Sequence, residues 1–507
     1  MNDHNTSNQD SQAEGQLPLE SLRQIRIEKL KKLQELGLEP FPSKSNRTHN
    51  ISEIVENFDQ HENNEVTICG RLMSWREHGA LIFGDVRDAS GKIQLYIKTD
   101  EVKPFDKNSQ NLGLENFGLL DIGDFVEATG TVTKTKRGEI SVLLQTIRIL
   151  TKSIRPMPSA HFGLKDEEDR YRQRYVDLVL NPELRDLFLK KSKFWNAVRN
   201  FMVSKNFIEV ETPVLENSAG GADATPFVTH HNALDIDVYL RISMGELWQK
   251  RLMVGGFEKT FELGRQFRNE GMSREHLQDY TQMEFYWAYA NYKDSMALVE
   301  EMYKYVAQET FGTTVFKING FDVDLNKTWE QINYRDIILD RHKIDIMTAT
   351  KDELAAKARE LKAEFDSTAD RGRLIDLIWK NIRKTISGPA FLVGHPVEVS
   401  PLAKRDLSSP DFTERYQIIL AGSEMGNGYS ELNDPIDQSE RFESQQKLRD
   451  AGDSEAQMHD YDFVRALEYG MPPVTGFGVS ERLFSFLADK TIRECVLFPL
   501  LKPEEHA

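Results

Sequence analysis

Two short segments, TFELGRQF (260–267) and TQMEFYWAY (281–289), constrain this chain most, because they carry charges of both signs among aromatic rings. A stretch built only for packing would not bury those charges, and one built only for solvent would not hold so many rings. Alternate side chains of a strand share a face, so a strand over 260–270 turns Arg268 and Glu270 the same way. By the same spacing Glu284 and Tyr286 share a face of the second strand. The polar run between them, GMSREHLQDY, is too long for a tight hairpin and is free to close over a ligand.

Two further stretches have the same character. In EMGNGYSELND (424–434), Asn427, Tyr429 and Glu431 fall at alternate positions, so one face offers an amide, a ring and a carboxylate. Alone this reads as a solvated edge strand, but polar-aromatic strands of one style in one domain point to an active-site sheet. In TGFGVSERLFSFL (475–487), Gly476 and Gly478 permit close backbone approach and Arg482 opens a helical pattern. Arg268 and Arg482 suit the clamping of phosphate oxygens. Glu246, Glu284 and Glu431 suit an ammonium group, since a buried carboxylate is costly without a cation. A small cationic ligand beside a phosphate satisfies both sets. No Ser/His/Asp arrangement or reactive cysteine indicates covalent catalysis.

The length of 507 residues predicts two to four domains. No apolar run approaches the ~20 residues of a membrane span. The two cysteines, Cys69 and Cys495, lie far apart outside any ligand spacing, which fits a reducing cytoplasm and predicts two small core residues. The net charge of −17 argues mildly against a protein that coats nucleic acid, without excluding a local basic face. Residues 1–16 read as a polar disordered tail and 17–63 as a helical segment. From 64 to 155, five β-branched segments broken by turn residues predict an OB-fold barrel. Residues 156–175 read as a linker, and 176–507 mix helices and strands, with a helix over 187–207. A helical insertion at about 337–390 includes Thr350 and Glu353 in capping-box spacing. Taken alone, Phe83 in the barrel reads as a core residue.

These residues carry a resemblance to a known family. FRNEGMSREHLQDYTQMEFY resembles motif 2 of the class II aminoacyl-tRNA synthetases, GFGVSERL resembles motif 3, and FIEVETPVL, with Pro213, resembles motif 1. GGADATPF, THHNALDIDVYLRI, HPVEVSPLAKR and GNGYSELNDPIDQ resemble the lysyl-tRNA synthetases in particular. The likeness covers nearly the whole chain after the tail. It implies an α+β fold: an antiparallel sheet flanked by helices, preceded by the OB-fold, with Pro213 at a homodimer interface.

The implied reaction activates L-lysine with ATP and Mg²⁺ to lysyl-adenylate, then charges tRNA(Lys). Arg268 would bridge the lysine carboxylate and the α-phosphate, and Arg482 would hold the γ-phosphate. Glu270 would meet the adenine end, His276 the phosphates, and Tyr280 would stack on the base. Gly221 and Glu246 would receive the lysine backbone. Tyr286 and Glu431 would read its ε-ammonium, helped by Glu284, Asn427 and Tyr429. In the barrel, Arg71, Phe83 and Gln94 match anticodon-binding positions.

The chain departs from the family pattern at four places. HLQDY replaces HNPEF, and Gln417 stands where a metal-binding glutamate is usual, leaving Glu424 as the better ligand. Motif 3 is one residue shorter, with Glu481 where aspartate is common, and RISMGEL is one residue longer. An aspartate- or asparagine-specific relative would not put Glu431 and Tyr286 at the side-chain end. A lysyl-transferring paralogue with a non-tRNA acceptor would lack the barrel.

Overall fold

A computed structural model describes residues 18–158, 163–164, 166–365, 369–452 and 456–504. The expected tail over 1–16 lies outside the described residues. The chain forms two compact units that divide between Asp169 and Arg170, inside the segment expected to be a linker.

In the first unit, β1 (Glu65–His78), β2 (Leu81–Arg87), β3 (Lys92–Lys98), β4 (Phe125–Lys134) and β5 (Ile140–Thr151) close a barrel in the order β1-β2-β3-β5-β4. The pairing of β3 with β5 is parallel and the rest are antiparallel. Alternation decides what fills it: Ile82, Val86, Ile93, Leu95 and Ile97 point inward and are buried. The helix Leu19–Glu35 docks on the same core through Leu33, and Arg26 donates to the carbonyls of Ile122 and Ser153. Cys69 is half-buried on β1 rather than in the core, its thiol 3.8 Å from Glu127. Burial, then that carboxylate, pushes the thiol up to about 11.

In the second unit the helix expected over 187–207 runs Pro182–Ser204, opening with proline where a missing N–H costs nothing. The strands after it are β6 (Ile208–Glu209), β7 (Leu215–Glu216), β8 (Val228–His231), β9 (Ile236–Leu240), β10 (Lys259–Phe267) and β11 (Asp279–Ala288). Then come β12 (Val315–Ile318), β13 (Phe321–Asp324), β14 (Glu330–Asn333), β15 (Ala390–Val393), β16 (Arg415–Leu420), β17 (Ser423–Ser430) and β18 (Val474–Ser480). The central sheet has the order β14-β15-β16-β17-β18-β11-β10-β6. It is antiparallel except for the parallel pairs at its two ends, β14/β15 and β6/β10. Strands β7, β9 and β8 make a small sheet, and β12 with β13 a hairpin.

The period of two divides the central sheet into a dry face and a polar one. Met283, Phe285, Tyr416, Ile418, Phe477 and Val479 join the core formed with helices Pro182–Ser204 and Tyr292–Phe311. Each is buried, and truncating one such aromatic residue to alanine costs about 3–5 kcal/mol. Their neighbours Glu284, Tyr286, Gln417, Gly476 and Gly478 line a cavity instead.

The helical insertion packs Leu354, Ile375, Ile378 and Trp379 into a second core shared with Ala390, Leu392 and Ile419 of β15 and β16. Its helix Lys351–Glu360 carries the expected capping box, with Thr350 and Glu353 each satisfying the other's backbone N–H. Such a cap is worth about 1 kcal/mol.

Candidate active site

The polar face of the sheet lines a cavity of about 620 Å³. Every residue expected to bind ATP, lysine or metal lines it: Gly221, Glu246, Arg268, Glu270, His276, Tyr280, Glu284, Tyr286, Gln417, Glu424, Asn427, Tyr429, Glu431 and Arg482. Pro213 is exposed elsewhere in this unit, and Arg71, Phe83 and Gln94 lie on the barrel.

One end of the cavity is acidic. The hydroxyl of Tyr286 donates to Glu284 Oε2 at 3.0 Å, so the pair expected to share a face on β11 does so in contact. Glu284 Oε1 accepts from Gln282 Nε2 at 2.6 Å and from the Met244 amide at 3.1 Å. Tyr429 donates to Glu246 Oε1 at 2.5 Å. Burial pushes the Glu284 carboxyl up to about 7, and the neighbouring Glu246 charge adds to that. Burial also pushes Glu431 up, opposed by the ammonium of Lys250. The glycines of β18 make room for this group. A Cβ on Gly476 would overlap Glu431 Oε1 and the Tyr286 ring, and one on Gly478 would meet Glu284.

The other end is cationic. Strand β10 stops at Phe267 rather than 270, because the chain leaves the ladder to enter the loop. The Arg268 amide still bonds to the Gln278 carbonyl at 2.7 Å, and its guanidinium sits 5.8 Å from the centre of the Tyr280 ring. Glu270 is exposed at the cavity mouth. Arg482 opens the helix Arg482–Leu487 and pairs with Glu275 Oε2 at 2.6 Å. That acid also accepts from Ser423 Oγ at 3.0 Å. His276 is held by Ser273, and its pKa is lowered by burial and then by the charge of Arg482.

At the position expected to hold the metal, Glu424 accepts from Trp379 Nε1 and Gln417 Nε2 and pairs with Arg383 at 2.8 Å. Burial pushes Glu424 up, but Arg383 outweighs it and holds the carboxyl below its usual range. The Gln417 oxygen is taken by His395 Nε2 at 3.0 Å, and His395 is kept neutral by burial, its pKa lowered to about 3. The extra residue of RISMGEL lies in the turn before the helix Glu246–Val254, whose first residue still reaches the cavity. That turn closes on Gly245 at φ +66, where a Cβ would overlap Thr212. Glu481 points away from the cavity and pairs with Lys191 at 2.5 Å.

Several contributors escaped sequence reasoning. Glu275 and Arg383 pair with residues far along the chain. Lys250 stands four residues after Glu246, a helical spacing that was the one readable signal for it. On the barrel, Phe83 is on the outward face, not in the core, and its ring stacks on Tyr96 at 5.5 Å and 12°. Lys98 lies 5.7 Å from the Tyr96 ring, while Arg76 and Lys92 pair with Asp85. Gln94 accepts from Ser141. Arg71 donates to the Gly123 carbonyl and covers the Phe125 ring at 4.2 Å.

Comparison with known proteins follows the same division. A family described as tRNA synthetases class II (D, K and N) matches residues 166–502, and one described as an OB-fold nucleic acid binding domain matches 66–150. The lysine–tRNA ligase of Moorella thermoacetica is 45% identical over 489 residues, covering 96% of this chain and 98% of that one. Those of Carboxydothermus hydrogenoformans and Clostridium perfringens are each 44% identical, over 96% and 97% of this chain and 99% and 98% of their own. With relatives this similar along nearly the full chain, the protein belongs to the lysine–tRNA ligase family of the class II tRNA synthetases.

Proposed function

We propose that the protein activates L-lysine with ATP to lysyl-adenylate and pyrophosphate, then transfers lysine to the 3′-terminal ribose of tRNA(Lys). The observation that carries this reading is one cavity with Glu246, Glu284 and Glu431 at one end and Arg268 and Arg482 at the other. A diamine carboxylate laid between them meets acid at both ammonium groups and Arg268 at its carboxylate. Arg268 then lies where that carboxylate attacks the α-phosphorus in line, and neutralises the charge that gathers there. Arg482 takes the γ-phosphate, with His276 beside it. Tyr280 and Glu270 receive the base.

Mg²⁺ bound to the ATP phosphates would supply further charge neutralisation. Glu424 suits it, being an ionised cavity-lining carboxylate. Gln417 is the poorer ligand because it brings no charge, and at either residue the ion would have to displace present partners, Arg383 and Trp379 on Glu424 and His395 on Gln417.

The stacked Phe83 and Tyr96 offer a platform for an anticodon base, with Gln94 and Arg71 on neighbouring outward positions. That platform favours tRNA over a non-tRNA acceptor. Pro213, Val214, Leu215, Ile208 and Val228 expose an apolar surface near motif 1, which supports a homodimer. Among the described residues no helix is long and apolar enough to cross a membrane. The proposed setting is the cytoplasm, whose reducing conditions suit the two free thiols Cys69 and Cys495.

Lysine-dependent ATP–pyrophosphate exchange tests the reading directly, and its absence would overturn it. In that assay Arg268→Ala lowers the exchange rate at least about 100-fold, the scale for losing one transition-state donor.

A further inference from the structure

Lys250 is fully buried and does not line the cavity, yet its ammonium lies 2.6 Å from Glu246 Oε1 and 2.5 Å from Glu431 Oε2. These are the two carboxylates that the proposed reaction turns on the two ends of the amino acid. Among the described residues no other cation pairs with either carboxylate. Tyr429, on β17, puts its ring 5.5 Å from the ammonium and its hydroxyl on Glu246. From β11, Glu284 adds a third carboxylate and Tyr286 a neutral hydroxyl. The helix Tyr461–Glu468 presents the Phe463 ring at 5.9 Å. The next residue, Arg251, is turned away to Asp460.

Three carboxylates so close together in a buried site cannot all ionise unaided, because each raises the proton affinity of the others. We propose that Lys250 is a positioning residue of the amino-acid site. From behind the wall its ammonium holds Glu246 and Glu431 in place for the substrate and lowers the cost of charge on the carboxylates it touches. Once the substrate's ammonium groups draw all three carboxylates into their charged forms, the internal ammonium leaves two negative charges, matching the α- and ε-ammonium groups of lysine. An amino acid with one ammonium group leaves one buried carboxylate unpaired and is rejected. The inference rests on the ligase reading above.

The test is Lys250→Met, of similar length but neutral, assayed by lysine-dependent pyrophosphate exchange beside the wild type. A wild-type enzyme without exchange removes the ligase reading itself. With an active wild type, the variant's lysine KM at pH 7 is expected at least about tenfold higher, with kcat within about threefold and the ATP KM unchanged. The ratio to wild type shrinks towards pH 9, as the acid that took up a proton in the absence of Lys250 gives it up. A ratio below about twofold, or a large ratio that does not vary with pH, overturns the proposal. If that variant does not fold, Lys250→Arg, which keeps a cation at the same position, decides instead. Its lysine KM is expected within about threefold of wild type, and a larger rise overturns the proposal.

Discussion

Glu275 places a carboxylate on Arg482, at 2.6 Å, where the γ-phosphate of ATP belongs in the proposed reaction. ATP must therefore displace an internal anion. Glu275→Gln should lower the KM for ATP in the exchange assay by several-fold, and an unchanged or raised KM would count against that competition. Glu284 makes a prediction about pH. Its carboxyl sits at about 7 in the fold, against an ordinary 4.5, because burial disfavours the charge. The folded state then binds more protons than the unfolded one between those values, so the group costs stability as pH rises through that window. The full effect, on the order of 3 kcal/mol, is present above pH 7. Thermal melts without substrate should fall less steeply from pH 5 to 7 in Glu284→Gln than in the wild type. Equal slopes would refute the assignment. Glu284 and Tyr286 were legible because a period of two puts them on one face. Glu275 was not, because its partner lies over two hundred residues away and no local pattern encodes such a pairing.

Among the elements, β18 is the most demanding. Two of its cavity-lining positions, Gly476 and Gly478, carry no side chain, because the space one would fill is occupied by Glu431, Tyr286 and Glu284 from the strands beside it. Gly476→Ala should therefore cut kcat/KM for lysine at least about tenfold while leaving the ATP KM near wild type, as expected when one end of a cavity is blocked. Steady-state exchange with each substrate varied in turn separates the two. A Gly-x-Gly pair is weak evidence in a sequence, since turns produce it constantly, and only the neighbouring strands reveal its purpose. The barrel shows the opposite failure. Leu81, Ile82 and Phe83 run apolar together, so alternation could not say which of them faces out. Pairing with β3 answers it: Phe83 lies opposite Tyr96, and their rings stack outside the barrel.

For the whole molecule, the two units predict separable functions. Phe83→Ala should lower kcat/KM for tRNA charging by roughly 5- to 150-fold, the equivalent of ~1–3 kcal/mol for one stacked base. Lysine-dependent exchange, which needs no tRNA, should not change, and a parallel loss there would show that the variant is damaged rather than blind to the anticodon. The division into a barrel and a charged sheet was readable from turn spacing and alternation. The order of the sheet was not, because strands that meet at its centre are distant in the chain. Strand β18, the last of the described strands along the chain, lies between β17 and β11 and joins two halves of the sheet that otherwise share no ladder. A ribosome must therefore release the chain through Ser480 before the two halves can close. Until then each half exposes an open edge to chaperones, and a prematurely ended chain has no assembled pocket in which to consume ATP.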